Sequence, residues 1–335
     1  HNMAGATSAG RVLSFSKEAT FGTSPAAGTG KVIPRVSHSL GLQIKQVESK
    51  EIRPDLQKGE TRNGFRSVAG DIKGELSAGM FTQFFAAICR KAFTTTKAAP
   101  LVAKTGTPAN EKTANYTYIP ATGHTSDSFT FEDWWGDLGA GAGVLFKGCK
   151  VESIEFDIKG DDSTPVGISI GFIGKDGTEL STRYFTAPTA LTQSAKITAL
   201  NGALKADGVD AIITDAKIKI KVDSKAAAVV GQNSTPDICL GSVEVSGSLS
   251  AYFTDTSLRA KSLADAPMSL AIRLDVSRED VMSDYVTIIL PAVKLSLPKI
   301  NDGDTCLQTD IDFTAFPAVY GSVPATTLII QDTLA

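Results

Sequence analysis

At 335 residues the chain is long enough to bury a proper core, as one large domain or two small ones. With 42% hydrophobic residues, 30 Gly and many Thr, Ser, Val and Ile, its composition favours a mainly β fold over a helical one. A formal net charge of −3 without basic stripes argues against a dedicated nucleic-acid binder. No apolar run approaches the ~18 residues of a membrane helix, so a soluble, cytoplasmically made protein is expected.

His1 and Asn2, ahead of Met3, read as a leftover of expression. From Ala4 to Lys31 the chain is rich in Gly, Ala, Ser and Thr. Only Val12, Leu13, Phe15 and Phe21 can anchor it, which predicts an N-terminal arm (4–31) that orders only against something else. Val32 to Ile52 predicts a strand, with Leu40, Leu42 and Ile44 on one face and Gln43, Lys45, Ser49 and Glu51 on the other. It pairs as a long hairpin with Phe65 to Leu76. The loop between them carries Arg53, Asp55, Lys58, Glu60 and Arg62 and almost nothing that its own subunit could bury.

Within Arg66 to Lys91 the hydrophobic period switches. Val68, Gly70, Ile72, Gly74 and Leu76 alternate with Ser67, Ala69, Asp71, Lys73 and Glu75, which predicts a sheet with one apolar and one wet side. From Ser77, read as an N-cap, Met80, Phe81, Phe84, Phe85 and Ile88 recur at helical spacing as far as Arg90 and Lys91. This helix should cover the apolar side.

Thr94 to Ser128 reads as an irregular insertion. Strands follow at Ser128 to Trp135, Val144 to Lys159 and Val166 to Ile173, with turns at Gly136 to Gly143 and Gly160 to Pro165. Trp134 and Trp135 are neighbours, so one should pack between layers or subunits. Ser181 to Leu200 is linker-like and Asn201-Gly202 a tight-turn signal. Ala211 to Val222 alternates Ile212, Ile218 and Ile220 with Lys217, Lys219 and Lys221, a strand whose cationic face should meet solvent or an acidic neighbour. Val245 to Phe253 repeats the phase of Val68 to Leu76 and leads through Thr254-Asp255 to a helical piece around Ser257 to Leu263. Met268 to Asp275, Tyr285 to Ser296 and Cys306 to Phe316 are further strands, with turns at Ser283-Asp284 and Asn301 to Asp304. Thr326 to Ile330 reads as a short edge strand.

No catalytic reading is compelling. Gly167-Ile-Ser-Ile-Gly171 has the letters of a nucleophile elbow, but Ser169 sits in an alternating strand and the internal histidines, His38 and His124, both lie upstream. Gly139 to Gly143 lacks phosphate-loop spacing, and neither Asp302 with Asp304 nor Asp310 with Asp312 fits a calcium loop. Cys89, Cys149, Cys239 and Cys306 are too scattered for a zinc site. No enzyme activity, cofactor or metal is expected. Trp134 and Trp135 beside Glu132 and Asp133 are the one cluster that a sugar-binding sandwich could use.

The sequence resembles the tail tube protein, or major tail protein, of long-tailed, siphovirus-like bacteriophages. The likeness rests on Glu48 to Asp55, Gly64 to Leu76 with the Phe-rich helix, Phe129 to Glu132 with Phe146 to Gly148, Gly241 to Thr256 and Tyr285 to Lys294. It runs through the chain in order and leaves out the insertion before Ser128. The resemblance implies one discontinuous domain over 1–335: two packed antiparallel sheets in a β-sandwich with a flanking helix. The hairpin of 32–91, which the helix follows, and the Ser242 and Cys306 strands would build the inner sheet, with 129–240 as outer strands and 241–330 holding C-terminal inner and outer strands. Inner sheets would join edge to edge into a closed barrel in a six-membered ring, and the rings would stack as a structural conduit for DNA. The loop residues Arg53, Asp55, Lys58, Glu60 and Arg62 would reach the next ring.

The wall of such a conduit would be Gln43, Lys45, Glu51, Asp71, Lys73, Glu75, Glu244, Ser246, Ser248, Ser250, Asp310 and Asp312, with Gln308 and Thr314. Acids outnumber lysines in that set, and an acidic or neutral hydroxyl-rich wall keeps phosphate from sticking. The implied partners are further copies of the chain, a tape measure protein, a tail terminator and distal tail proteins. DNA is met only in transit and no membrane is involved. The virion is the expected location, after assembly in the host cytoplasm. The inner tube of a contractile or tailocin particle and a carbohydrate-binding sandwich are the alternatives.

Overall fold

The computed structural model describes residues 7–52, 54–55, 57–104, 110–138, 142–160, 164–252, 257–301 and 307–335. Arg53, Thr254-Asp255, Asp302, Asp304, Cys306 and parts of the insertion and of the Gly136, Gly160 and Asn301 turns lie outside the described residues.

The arm supplies β1 (Arg11–Lys17) and β2 (Lys31–Val32). Then come β3 (Ser37–His38), β4 (Gly41–Glu48), β5 (Thr61–Glu75) and α1 (Thr82–Cys89). The middle of the chain gives β6 (Asn115–Tyr118), β7 (Phe129–Trp135), β8 (Ala142–Lys159), β9 (Gly167–Gly174), β10 (Asp176–Leu180) and β11 (Thr189–Ala190). It continues with β12 (Gly202–Ala206), β13 (Val209–Asp210), β14 (Ile213–Ala226) and β15 (Ile238–Tyr252). After α2 (Ser257–Leu263) follow β16 (Met268–Asp275), β17 (Tyr285–Leu295), β18 (Lys299–Asn301) and β19 (Gln308–Phe316). The chain ends on β20 (Ala318–Tyr320), β21 (Val323–Thr326) and β22 (Ile329–Asp332). No helix among the described residues is long and apolar enough to cross a membrane.

The fold is mainly β, as expected, but its two layers are not separate sheets. Among the described residues, twenty strands share one hydrogen-bonded sheet, and only β20 and β21 pair apart. The layers are joined by β8. Its first half lies between β7 and β10, and its second half between β9 and β14. The change of partners falls at Gly148, in the left-handed region at φ 65°. A Cβ there would lie 2.8 Å from the Lys175 side chain and 3.0 Å from the Phe21 ring, so only glycine lets the strand turn the corner.

The main run of neighbours is β4, β5, β9, β8, β14, β15, β19, β17, β16 and β12, each antiparallel to the next. The hairpin and the C-terminal strands lie in this one run, and three strands from the 129–240 segment, β9, β8 and β14, stand between them.

Alternation explains why this sheet packs. Ile72, Ile170, Ile154, Ile220 and Val245 lie opposite one another across five strands, and all are buried. Phe84 of α1 plugs the gap to the other layer. Its ring centroid is 4.9 Å from Phe15, 5.1 Å from Phe129 and 5.3 Å from Phe172. The arm orders on this layer, with Leu13 and Phe15 buried and β1 paired to β7.

Several local expectations change. The helix begins at Thr82 with Phe81 as N-cap, while Ser77 is buried and its hydroxyl meets Gln193 (3.3 Å) and Met80. Tertiary contact outcompeted capping there. The tight turn near Asn201-Gly202 lies instead at Asp207-Gly208, both at positive φ, where β12 turns into β13. The insertion is not wholly irregular, because it contributes β6. That strand pairs with β22, which is held by β17 on its other side and is therefore no edge strand.

Candidate functional site

The wet side of the large sheet is one continuous surface. At one level the register runs Ser37, Lys73, Ser169, Glu155, Lys219, Ser246, Thr314 and Lys294. The level on one side of it runs Glu75, Gly167, Asp157, Lys217, Ser248 and Asp312. The level on the other runs Asp71, Gly171, Ser153, Lys221 and Glu244, and a fourth runs Lys159, Asp215, Ser250, Asp310 and Lys299. Side chains directly opposite one another in paired strands point the same way.

Most of the expected wall residues are thus brought together: Asp71, Lys73, Glu75, Glu244, Ser246, Ser248, Ser250, Asp310 and Asp312. Gln43 joins them opposite Ser67. Lys45 sits at a register shift between Ile44 and Gln46, and Glu51 lies beyond the end of β4, so neither belongs to a row. Sequence reasoning missed the middle of the surface, which comes from β8, β9 and β14. The signal was present in the Lys217, Lys219 and Lys221 alternation, but periodicity cannot say which face of the molecule a wet side joins.

The register overturns the expected acid excess. Asp71, Glu75, Glu155, Asp157, Asp215, Glu244, Asp310 and Asp312 share the face with Lys73, Lys159, Lys217, Lys219, Lys221, Lys294 and Lys299. Among the described residues, charge on the face balances to within one unit. Glu155 lies opposite Lys219, Asp157 opposite Lys217, and Glu244 opposite Lys221, so the cationic strand does meet acidic neighbours. Lys73, Lys217, Lys219, Lys221, Glu244 and Asp312 are exposed. Lys159 pairs with Asp157 at 3.2 Å, and the Ser250 hydroxyl bonds Asp310 at 2.6 Å. Gly171 keeps the lattice tight, since a Cβ there would fall 2.5 Å from Ser153 Oγ and 3.1 Å from Asp71 Oδ1.

At one edge of this surface the β4–β5 hairpin overhangs the body. All of β4 from Gln43 onward is exposed, including Ile44 (42%) and Val47 (60%), and Ile52 beyond it is 99% exposed. Asp55, Lys58, Glu60 and Arg62 are exposed as well, with Arg62 3.7 Å from Glu60. These apolar side chains face water, and no core of the subunit covers them.

The rival chemistry is disposed of by burial. Glu132 and Asp133 are buried and already engaged, so they do not stand beside the tryptophans as free sugar ligands. Glu132 accepts the Tyr184 and Phe185 backbone N–H groups and lies 3.5 Å from Arg183. The Arg11 guanidinium donates to both oxygens of Asp133, and His38 Nε2 lies 3.4 Å away. Burial works to raise the Asp133 carboxyl, but His38 and Arg11 outweigh it and hold the group below its ordinary range. Ser169 stands in mid-strand opposite Lys73 and Glu155, with no elbow. Burial pushes the Cys89 thiol up to about 12, away from any nucleophilic role.

A family model described as phage tail tube protein matches residues 8–315. No curated protein matches the chain.

Proposed function

The chain belongs to the phage tail tube protein family, a family of structural proteins, and on that premise we propose that its copies join into six-membered rings that stack as the tail tube of a siphovirus-like phage. The continuous charged face would line the channel, and DNA would pass through it from capsid to host. One observation carries this reading: among the described residues, a polar surface eight strands wide, uninterrupted by any apolar row, has an edge strand, β4, that is left unpaired on one side. A neighbour's strand adding to that edge would continue the surface around a ring and remove the association hazard.

The balanced charge suits such a wall. Opposite charges on adjacent strands cancel beyond about 8 Å at physiological ionic strength, so a polyanion in the bore meets neither a trap nor a long-range barrier. A tape measure protein, a tail terminator and distal tail proteins would be the other partners, in the virion, after assembly in the host cytoplasm. Electron microscopy of the concentrated protein tests the reading. Rings or tubes with an axial hole are expected, and a chain that stays monomeric at every concentration would refute it.

A further inference from the structure

We propose that the cavity beside α2 binds one free straight-chain carboxylate, with the hydrocarbon tail among buried aliphatic side chains and the carboxylate at the mouth, beside Thr309 and Arg259. This site goes beyond the tube reading and does not rest on it.

The topology opens the cavity at one end of the large sheet. From β14 through β15, β19, β17 and β16 to β12, each strand is antiparallel to the next. The starts of β14, β16 and β19 therefore lie at the same end as the ends of β12, β15 and β17. Residues from all six, together with Leu258 of α2, line a cavity of about 430 Å³, a size within the range of about 300–1,000 Å³ usual for small-molecule sites. Its inner walls are Leu249, Leu270 and Ile311, each less than 5% exposed. Leu249 and Ile311 stand opposite each other in paired strands. Such walls offer carbon only, which suits a hydrocarbon tail and excludes a ligand that must hydrogen-bond along its length.

Two polar groups at the mouth specify the head. Thr309 alternates with Gln308 and Asp310 and so shares the dry side of β19 with Ile311 and Phe313. It lines the cavity near the start of that strand, is buried, and its Oγ1 has no hydrogen-bond partner among the described residues. A buried hydroxyl seldom goes unpaired, because it gives up water and gets nothing in return. A carboxylate oxygen at the mouth would accept its hydrogen. The charged lining residues supply the second group. Lys261 pairs with Asp207, and Lys205 pairs with Asp210 at 3.8 Å. Among the described residues this leaves the exposed Arg259 as the lining cation with no acid beside it. One uncompensated cation and one free hydroxyl, at the rim of a carbon-walled cavity, match a monoanion with an apolar tail.

The test is titration calorimetry of the full-length chain with hexanoate, octanoate and decanoate, each below the concentration at which it forms micelles. Saturable binding of one carboxylate per chain is expected, with affinity rising about fourfold for each added methylene that enters the cavity. Thr309→Val keeps the side chain's shape without its hydroxyl and should weaken decanoate about tenfold. Arg259→Gln alters an exposed side chain, leaves the fold alone and should weaken it about threefold. Absence of saturable binding to the unmodified chain would overturn the proposal, as would an affinity that ignores tail length. Equal affinity for decylammonium, or unchanged decanoate binding by Arg259→Gln, would remove the anionic head from the assignment and overturn it as well. Sedimentation with phosphatidylglycerol vesicles in place of binding to free decanoate would show a membrane surface to be the true ligand and refute the single-chain site.

Discussion

Arg273 is fully buried, and its environment makes a sharp prediction. Its guanidinium donates to Asp275 at 3.0–3.2 Å, to the Val102 carbonyl at 2.8 Å and to Glu111, and lies 4.2 Å from the centroid of the Tyr285 ring. Burial pushes the Asp275 carboxyl up even against this partner. Arg273→Met should therefore cost about 3–5 kcal/mol in denaturant unfolding, because it leaves a buried carboxylate without its cation. Arg273→Lys should recover only part, having one ammonium where a planar fork is needed. Asp332 gives a pH-dependent case. It is buried, accepts the Gly79 and Leu334 backbone N–H groups, and burial raises it to about 6. A carboxyl raised on folding binds its proton more tightly in the folded chain, so stability falls as pH rises from about 4 to 6 and the penalty is constant above. Asp332→Asn should thus gain on the natural chain across that window, on the order of 3 kcal/mol if the full shift is realised. Melting temperatures of both proteins between pH 4 and 8 would check it, and parallel curves would sink it.

At the scale of elements, α1 holds the two layers together. It is short, lacks a side-chain N-cap and closes on Arg90 in the left-handed conformation, so its stability comes from packing rather than from its ends. Phe84 concentrates that packing, with Phe15, Phe129, Phe131 and Phe172 all within 6.2 Å between ring centroids. Phe84→Ala should cost about 3–5 kcal/mol by urea unfolding. A loss under 1 kcal/mol would mean that the layers are held elsewhere. Strands β5 and β15 show the opposite economy, in which glycine admits a neighbour. Phe81 lies over Gly74, and the Phe313 ring lies over Gly247, where a Cβ would meet it at 2.5 Å and the Lys217 carbonyl at 2.1 Å.

For the whole molecule, the balanced wall can be unbalanced without touching the core. Asp71, Glu244 and Asp312 are exposed and spread over β5, β15 and β19. Replacing all three by Lys turns the face strongly cationic. Tubes of that variant should retain labelled double-stranded DNA at 50 mM salt and release it steeply as salt rises, whereas tubes of the natural chain retain none. Unchanged retention would remove the charge balance from any part in DNA passage.

Alternation in β5, β14, β15 and β19, the change of period at the Phe-rich helix, and the resemblance to tail tube proteins were all legible in the chain, because each depends on residues near one another in sequence. Local chemistry therefore determined that the strands have a wet and a dry side and where most of them lie. Only the tertiary structure decided which strands stand side by side. It set β9, β8 and β14 between the hairpin and the C-terminal strands, and so brought Lys217, Lys219 and Lys221 onto the same face as Asp71 and Glu244. Pairing between distant strands is chosen by how their apolar faces fill one shared core, a sum over the whole chain that no single segment carries.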